Sequence, residues 1–187
     1  MTQAHRARQY AATHQRIYDT AMALFAECGY EEVAIGQIAT AAGVSVPTFY
    51  AHYASKDELI MALPERAEVA ALLAAAPADR PLAERLRLIL GGFLAGMAAE
   101  RRADTLARWR IIASTPRLRY RAAGYERATA QMLLDELGVA EDGDPAVVVV
   151  TAHFSAYTQA LLRWGASGGT LPLEEVAAEA MAVLRGM

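Results

Sequence analysis

The chain has one lysine, Lys56, against seventeen arginines, and one cysteine, Cys28. A single cysteine excludes an intrachain disulfide and fits a reducing, cytoplasmic compartment. The four histidines, His5, His14, His52 and His153, stand at no metal-ligand spacing from each other or from a carboxylate cluster. Neither a metal nor another cofactor is therefore expected. No apolar run reaches the roughly 18–20 residues that a membrane span needs. The longest, Leu88 to Ala99, is closed by Glu100, Arg101 and Arg102 and reads as a buried core helix. The polar start (His5, Arg6, Arg8, Gln9) has no apolar segment of the kind a signal peptide carries, so no membrane association is expected. Excess positive charge is lacking too. Eighteen Lys and Arg against twenty-one Asp and Glu leave a net charge of −3. By charge alone this argues against a generally basic nucleic-acid binder.

What is present is apolar and periodic. Of 187 residues, 55% are hydrophobic, enough to bury a real core and too many for a disordered chain. Ile17, Ala21, Leu24, Phe25 and Cys28 recur at three- and four-residue spacing and predict a helix from about Thr13, ending before Gly29. Short helices follow at Ile35 to Ala42 and from Ser45, with Pro47 in the first turn. Ser55 and Glu58 form a capping box that opens a helix through about Ala75, interrupted by Pro64. Pro77 to Pro81 is the clearest break in composition. Helices are then expected over Leu82 to Ala99, Asp104 to Ser114, Leu118 to Leu137, Ala146 to Trp164 and Leu173 to Leu184. Val147 to Val150 is β-branched, but Phe154, Tyr157, Leu161 and Trp164 continue it at helical spacing. The reading is all-α, with about nine helices and no sheet. Residues 1–60 are expected to form one domain and residues 61–187 another.

The informative stretch runs from Ile35 to Ile60. Ile38, Ala39, Val44, Phe49 and Tyr53 make an inward set. Ala39 and Gly43 are small where two helices must cross, which is helix-turn-helix anatomy. The outward face of the second helix carries Val46, Pro47, Thr48, Tyr50, Ala51 and His52, small and uncharged at its start. Such a helix fits a major groove about 12 Å wide. The Thr48 and Tyr50 hydroxyls and the Lys56 ammonium suit positioning on phosphates. His52 has two open roles, capping its own helix or touching phosphate. The arm with His5, Arg6, Arg8 and Arg16 either reaches the DNA or is a solvated tail.

Residues 16 to 60 resemble the DNA-binding domain of the TetR/AcrR family of bacterial repressors. The likeness rests on Ile17, Ala21, Leu24, Phe25, Gly29 and Tyr30, on Ile38-Ala39 and Ala42-Gly43-Val44-Ser45, on Thr48 to Tyr53, and on Ser55-Lys56-Asp57-Glu58-Leu59. The resemblance implies a homodimer of helical subunits, each with a three-helix head on double-stranded DNA and a larger ligand-binding body. It also implies that Thr48, Tyr50, Ala51 and His52 approach DNA and that Lys56 holds a backbone phosphate. Three positions depart from the family pattern. Ala34 stands where a Ser or Thr caps the first motif helix, Gly36 stands near a common Arg or Lys, and Val46 stands where Lys is frequent.

In the body only the residues speak. Phe93, Met97, Trp109, Ile112, Tyr125, Met132, His153, Phe154 and Tyr157 are large or soft side chains on four expected helices. They suit an adaptable apolar effector cavity with His153, Tyr157 and Tyr125 as polar anchors; ordinary core packing is the alternative. Eight arginines between Arg101 and Arg127 form either a solvated face or an attractor for an anionic, acyl-chain-like effector. Ala156, Ala160, Leu161 and Trp164, with Val176, Ala180, Val183 and Leu184, are expected at a dimer interface of four helices. The leading expectation is a ligand-responsive repressor released from a palindromic operator. Its rival is a helical small-molecule-binding protein or enzyme without a DNA role, although no nucleophile–base pair, paired carboxylates or phosphate loop appears. A DNA-bending architectural protein is disfavoured by the size of the body.

Overall fold

The computed structural model describes residues 3–139 and 143–185. Ten helices and no strand occur among them: α1 (Gln3–Cys28), α2 (Ile35–Ala41), α3 (Val46–His52), α4 (Lys56–Ile60), α5 (Arg66–Ala75), α6 (Leu82–Ala95), α7 (Ala99–Ser114), α8 (Pro116–Glu136), α9 (Pro145–Ala166) and α10 (Leu173–Val183). Two compact units divide them, Met1–Met61 and Ala62–Met187. There are ten helices rather than nine because the segment after Ser55 breaks at residues 61–65. Pro64 lacks the N–H that a continuous helix requires there and clashes with the preceding turn.

In the first unit, α2 packs against both α1 and α3. Ile17, Ala21, Phe25, Ile38, Ala39, Phe49 and Tyr53 are buried, as are Tyr30, Val33, Leu59 and Ile60. Val44, from the expected inward set, is only half-buried. The apolar stripe on α1 marks only its second half. The helix continues back through Arg8, Arg6 and His5 as exposed turns, so the basic arm is helical. The turn between α2 and α3 depends on Gly43 at φ +64°, a region that costs glycine little.

In the second unit α9 is the central element, packed by α6, α7, α8 and α10. Here two expectations need correction. Leu88 to Ala99 is not one buried helix. α6 ends at Ala95, where the Gly96 N–H closes onto the Gly92 and Leu94 carbonyls, and it buries only the stripe Leu86, Leu90 and Leu94. Leu88 is half exposed. The longest apolar stretch is instead α9, 22 residues with Arg163 as its only charge, long and apolar enough by composition to cross a bilayer. Its buried Val150, His153, Thr158, Ala160, Leu161, Trp164 and Gly165 are covered by neighbouring helices, so it serves as a core helix of the body. Gly165 marks the closest approach. A Cβ there would run into the Trp109 carbonyl group on α7.

Candidate nucleic-acid interface

The recognition surface is built from local signals. Ser45, in extended conformation, caps α3 by accepting the Thr48 N–H at 3.2 Å, and Pro47 sits in the first turn. The Thr48 hydroxyl lies 2.8 Å from the Ser45 hydroxyl, so it also belongs to the cap. Phe49 is fully buried beneath the helix and anchors it. Val46, Pro47, Tyr50 and Ala51 are exposed, while Thr48 and His52 are half-buried. Tyr50 stands edge-on against Phe49 with centroids 5.6 Å apart. The exposed face of α3 therefore carries no fixed charge.

At α2, Ala34 has the extended backbone of a cap residue but no side chain that can cap. Gln37 compensates in part by accepting the Ala34 N–H at 2.7 Å. At α4, Ser55 accepts the Glu58 N–H at 3.3 Å. The reciprocal Glu58 contact goes to the Ala54 N–H rather than to that of Ser55.

Lys56 is engaged within the head itself. Its ammonium donates to the carbonyls of Tyr30 at 2.7 Å, Val33 at 2.9 Å and Glu31 at 3.5 Å. It also sits 4.2 Å above the Tyr30 ring centre. These contacts all lie on the loop after α1, and the Tyr30 hydroxyl donates to the buried Asp57 carboxylate. The lysine acts as a staple between that loop and α4, and a phosphate would have to compete with three carbonyls for it.

His52 is half-buried, and its Nδ1 is enclosed without a hydrogen-bond partner. The ring of Tyr10, from α1, stacks on it at 4.2 Å, and the Tyr10 hydroxyl donates to the Ala51 carbonyl at 3.3 Å. His14 stacks on Tyr53 at 4.2 Å, and the Tyr53 hydroxyl donates to the His14 carbonyl at 3.1 Å. The Arg16 Nε donates to the Ala42 carbonyl at 3.0 Å. Burial, with the positive potential of His14 and Arg16, lowers the His52 pKa below its usual value. Burial, with the nearby Glu58 and Asp19 carboxylates, raises that of the Tyr53 phenol. Sequence reasoning missed Tyr10 and His14. No local periodicity links residues some forty positions apart.

A short uncharged helix on a buried aromatic anchor, reached through a glycine turn from a packed partner helix, is a groove-reading unit. Residues 17–63 match the sequence profile of the family described as bacterial regulatory proteins, tetR family. The head is a tetR-family DNA-binding domain. The whole chain also superposes on solved TetR-type regulators. NalD of Pseudomonas aeruginosa, the secondary repressor of the MexAB-OprM multidrug efflux pump, is 21% identical with a TM-score of 0.59, covering 96% of this chain and 97% of that one. A TetR transcriptional regulator from Rhodococcus sp. RHA1 is 19% identical with a TM-score of 0.53, covering 94% and 96%. The fatty acid degradation regulator FadR from Bacillus halodurans is 18% identical with a TM-score of 0.53, covering 93% and 95%. At these identities the likeness is one of fold. No curated protein sequence matches the chain.

In the second unit, the nine expected effector residues divide between different surroundings. Phe93, Met97, Trp109 and Tyr157 come together beside a buried cluster of Leu94, Ala160, Leu161, Trp164, Leu173 and Val176. Met132 and Phe154 join a separate cluster around Leu86, Leu133 and Val150. Ile112 is only 1% exposed and lies in the interior of the unit. Tyr125 is half-buried on α8. His153 is buried; its Nδ1 lies 2.7 Å from the Val149 carbonyl, and its Nε2 has no partner. A cavity of about 280 Å³ opens between α6 and α7, lined by Gly92, Phe93, Gly96, Met97, Ala98 and Arg101. The Arg101 guanidinium lies 5.0 Å over the Phe93 ring. Burial pushes the Tyr157 phenol up to about 12, opposed by the positive potentials of Arg101 and Arg108, so it stays a protonated donor at neutral pH.

The residues expected at a dimer face divide between the interior of the subunit and its surface. Ala160, Leu161, Trp164 and Val176 are buried within the subunit, because α9 and α10 turn those faces toward α6 and α7. They cannot also meet a second copy. Ala180 is half-buried against the same cluster, Ala156 and Leu184 are half-buried, and Val183 is 64% exposed.

Proposed function

We propose that the chain is a ligand-responsive transcriptional repressor, acting as a homodimer on a palindromic operator in the cytoplasm and performing no catalysis. The observation that carries this reading is the uncharged exposed face of α3 on a fully buried Phe49, inside a head of the tetR family. Val46, Pro47, Tyr50 and Ala51 contact base edges and sugars. Thr48 holds the helix start and offers its hydroxyl to the groove.

The effector occupies the cavity between α6 and α7. Phe93 and Met97 supply an apolar wall, and Arg101 supplies a cation at the rim. That combination suits a small amphiphile with an anionic head, because a guanidinium binds a carboxylate through a paired fork. The dimer forms through the other side of α9, where Val148, Ala152, Ser155, Gln159 and Leu162 recur at three- and four-residue spacing. These side chains are uncharged and exposed or half-buried. Ala178, Ala182 and Val183 of α10 are also exposed.

The test selects duplexes from a random pool with the full-length protein, then measures a gel shift with and without decanoate. A palindromic consensus whose shift is reversed by decanoate but not by decanol supports the whole reading. Absence of any sequence preference at moderate salt overturns it.

A further inference from the structure

The recognition helix is held from outside its motif by a feature that the helix-turn-helix does not require. Four rings run from α1 to α3 and the residue after it. Tyr10 covers His52, His14 covers Tyr53, and the two imidazoles lie 5.8 Å apart between those pairs. Two hydrogen bonds tie the same segments, from Tyr10 to the Ala51 carbonyl and from Tyr53 to the His14 carbonyl. The Nδ1 atoms of both His14 and His52 are buried with no hydrogen-bond partner.

That last observation gives the cluster a chemistry. A neutral imidazole can leave Nδ1 bare and carry its hydrogen on Nε2. An imidazolium carries a hydrogen on both nitrogens. A proton on His52 would place a charged N–H donor at a buried nitrogen that has no hydrogen-bond partner, which is disfavoured. From α1 the neighbours of His52 are Tyr10, His14 and Arg16, and burial together with the positive potential on that side opposes a proton on it. The nearest acids, Asp19 on α1 and Glu58 on α4, act on the Tyr53 phenol that covers His14.

We propose that Tyr10, His14, His52 and Tyr53 form a proton-sensitive latch that sets the position of α3, so that operator binding weakens as the solution becomes mildly acidic. Tyr10 and His14 are positioning residues in this scheme. They hold the groove-reading helix without reading DNA. The sign follows from His52, whose neutral form the folded head favours. Its contribution is fully present above the ordinary histidine value of about 6.5 and is lost as pH falls below it. The opposite sign would hold if His52 donated to a phosphate, because protonation would then strengthen binding. The proposal rests on the DNA-binding reading above, and the experiment separates the two.

Affinity of the full-length protein for its selected duplex is measured by fluorescence anisotropy from pH 8.0 to 5.5 at constant ionic strength, with the near-UV circular dichroism of the protein alone followed in parallel. The expected result is an affinity loss of at least about fivefold over that range, with a change in the aromatic signal at the same pH and no loss of far-UV helicity. His52→Phe keeps a ring in the stack and removes the imidazole on which the sign rests, and should flatten both profiles to within about twofold. Tyr10→Ala should weaken binding at every pH, and Tyr10→Phe should restore it. A flat profile in the unmodified protein, or affinity that rises on acidification, overturns the latch. A pH-dependent aromatic signal that His52→Phe abolishes, in a protein for which no duplex can be selected, supports the latch and sinks the operator reading instead.

Discussion

Lys56 directs its ammonium at three loop carbonyls and the face of Tyr30, so its removal is a matter of stability before it is a matter of DNA. Lys56→Ala should lower the stability of the head by about 1–3 kcal/mol, since two partly buried carbonyls lose a charged donor. Urea denaturation measures that loss. The salt dependence of operator binding should keep its slope, whereas a decrease of about one unit would assign the lysine to a phosphate. Ala34 is the reverse case. It has the backbone of a cap without the acceptor, so Ala34→Ser should stabilise the head by about 0.5–2 kcal/mol in the same assay. At this scale the sequence was legible wherever the signal was local. Ser45 with Pro47 and Ser55 with Glu58 announce helix starts within four residues. It was not legible for Lys56, because the same lysine that can reach a phosphate can reach the carbonyls of a loop some 25 positions earlier in the chain. Nor was it legible for Tyr10, whose partner Ala51 is 41 positions away.

The elements show why the head could be read and the body only in outline. The short head helices each have one apolar side, and that side is inward. α9 is apolar nearly all round, so periodicity identifies a helix without saying which face meets its own subunit. The expected dimer residues Ala160, Leu161 and Trp164 fall on the inner side for this reason. The tight crossing at Gly165 was also invisible, because a glycine inside a helix carries no pattern. Its consequence is testable. Gly165→Ala puts a methyl group into the Trp109 carbonyl group and should cost about 1–3 kcal/mol or more, since a packed backbone cannot yield as a flexible side chain does. Thermal unfolding followed at 222 nm reads the effect. The adjacent Arg163–Glu179 pair is exposed on both partners, and its loss should be worth under about 1 kcal/mol.

For the whole molecule the distinction is between faces turned inward and faces left over. The uncharged stripe through Val148, Ser155 and Leu162 is the part of α9 that its own neighbours do not fully cover. Leu162→Glu should place a charge in the dimer contact. The expected outcome is a monomer by sedimentation velocity, helicity unchanged, and operator affinity lost because two heads no longer act together. Leu161→Glu should unfold the body instead, since that residue is 4% exposed within the subunit. A dimer that persists in Leu162→Glu would move the contact elsewhere.

The uncharged surface of α3 also bears on how an operator is found. Attraction to random DNA depends on the number of phosphates a protein neutralises. A groove-reading helix without lysine or arginine, on a chain of net charge −3, holds random DNA only briefly. Search should then proceed by short visits from solution rather than long one-dimensional slides, and occupancy of the operator should follow the free concentration of the protein closely, with little of it stored along the chromosome.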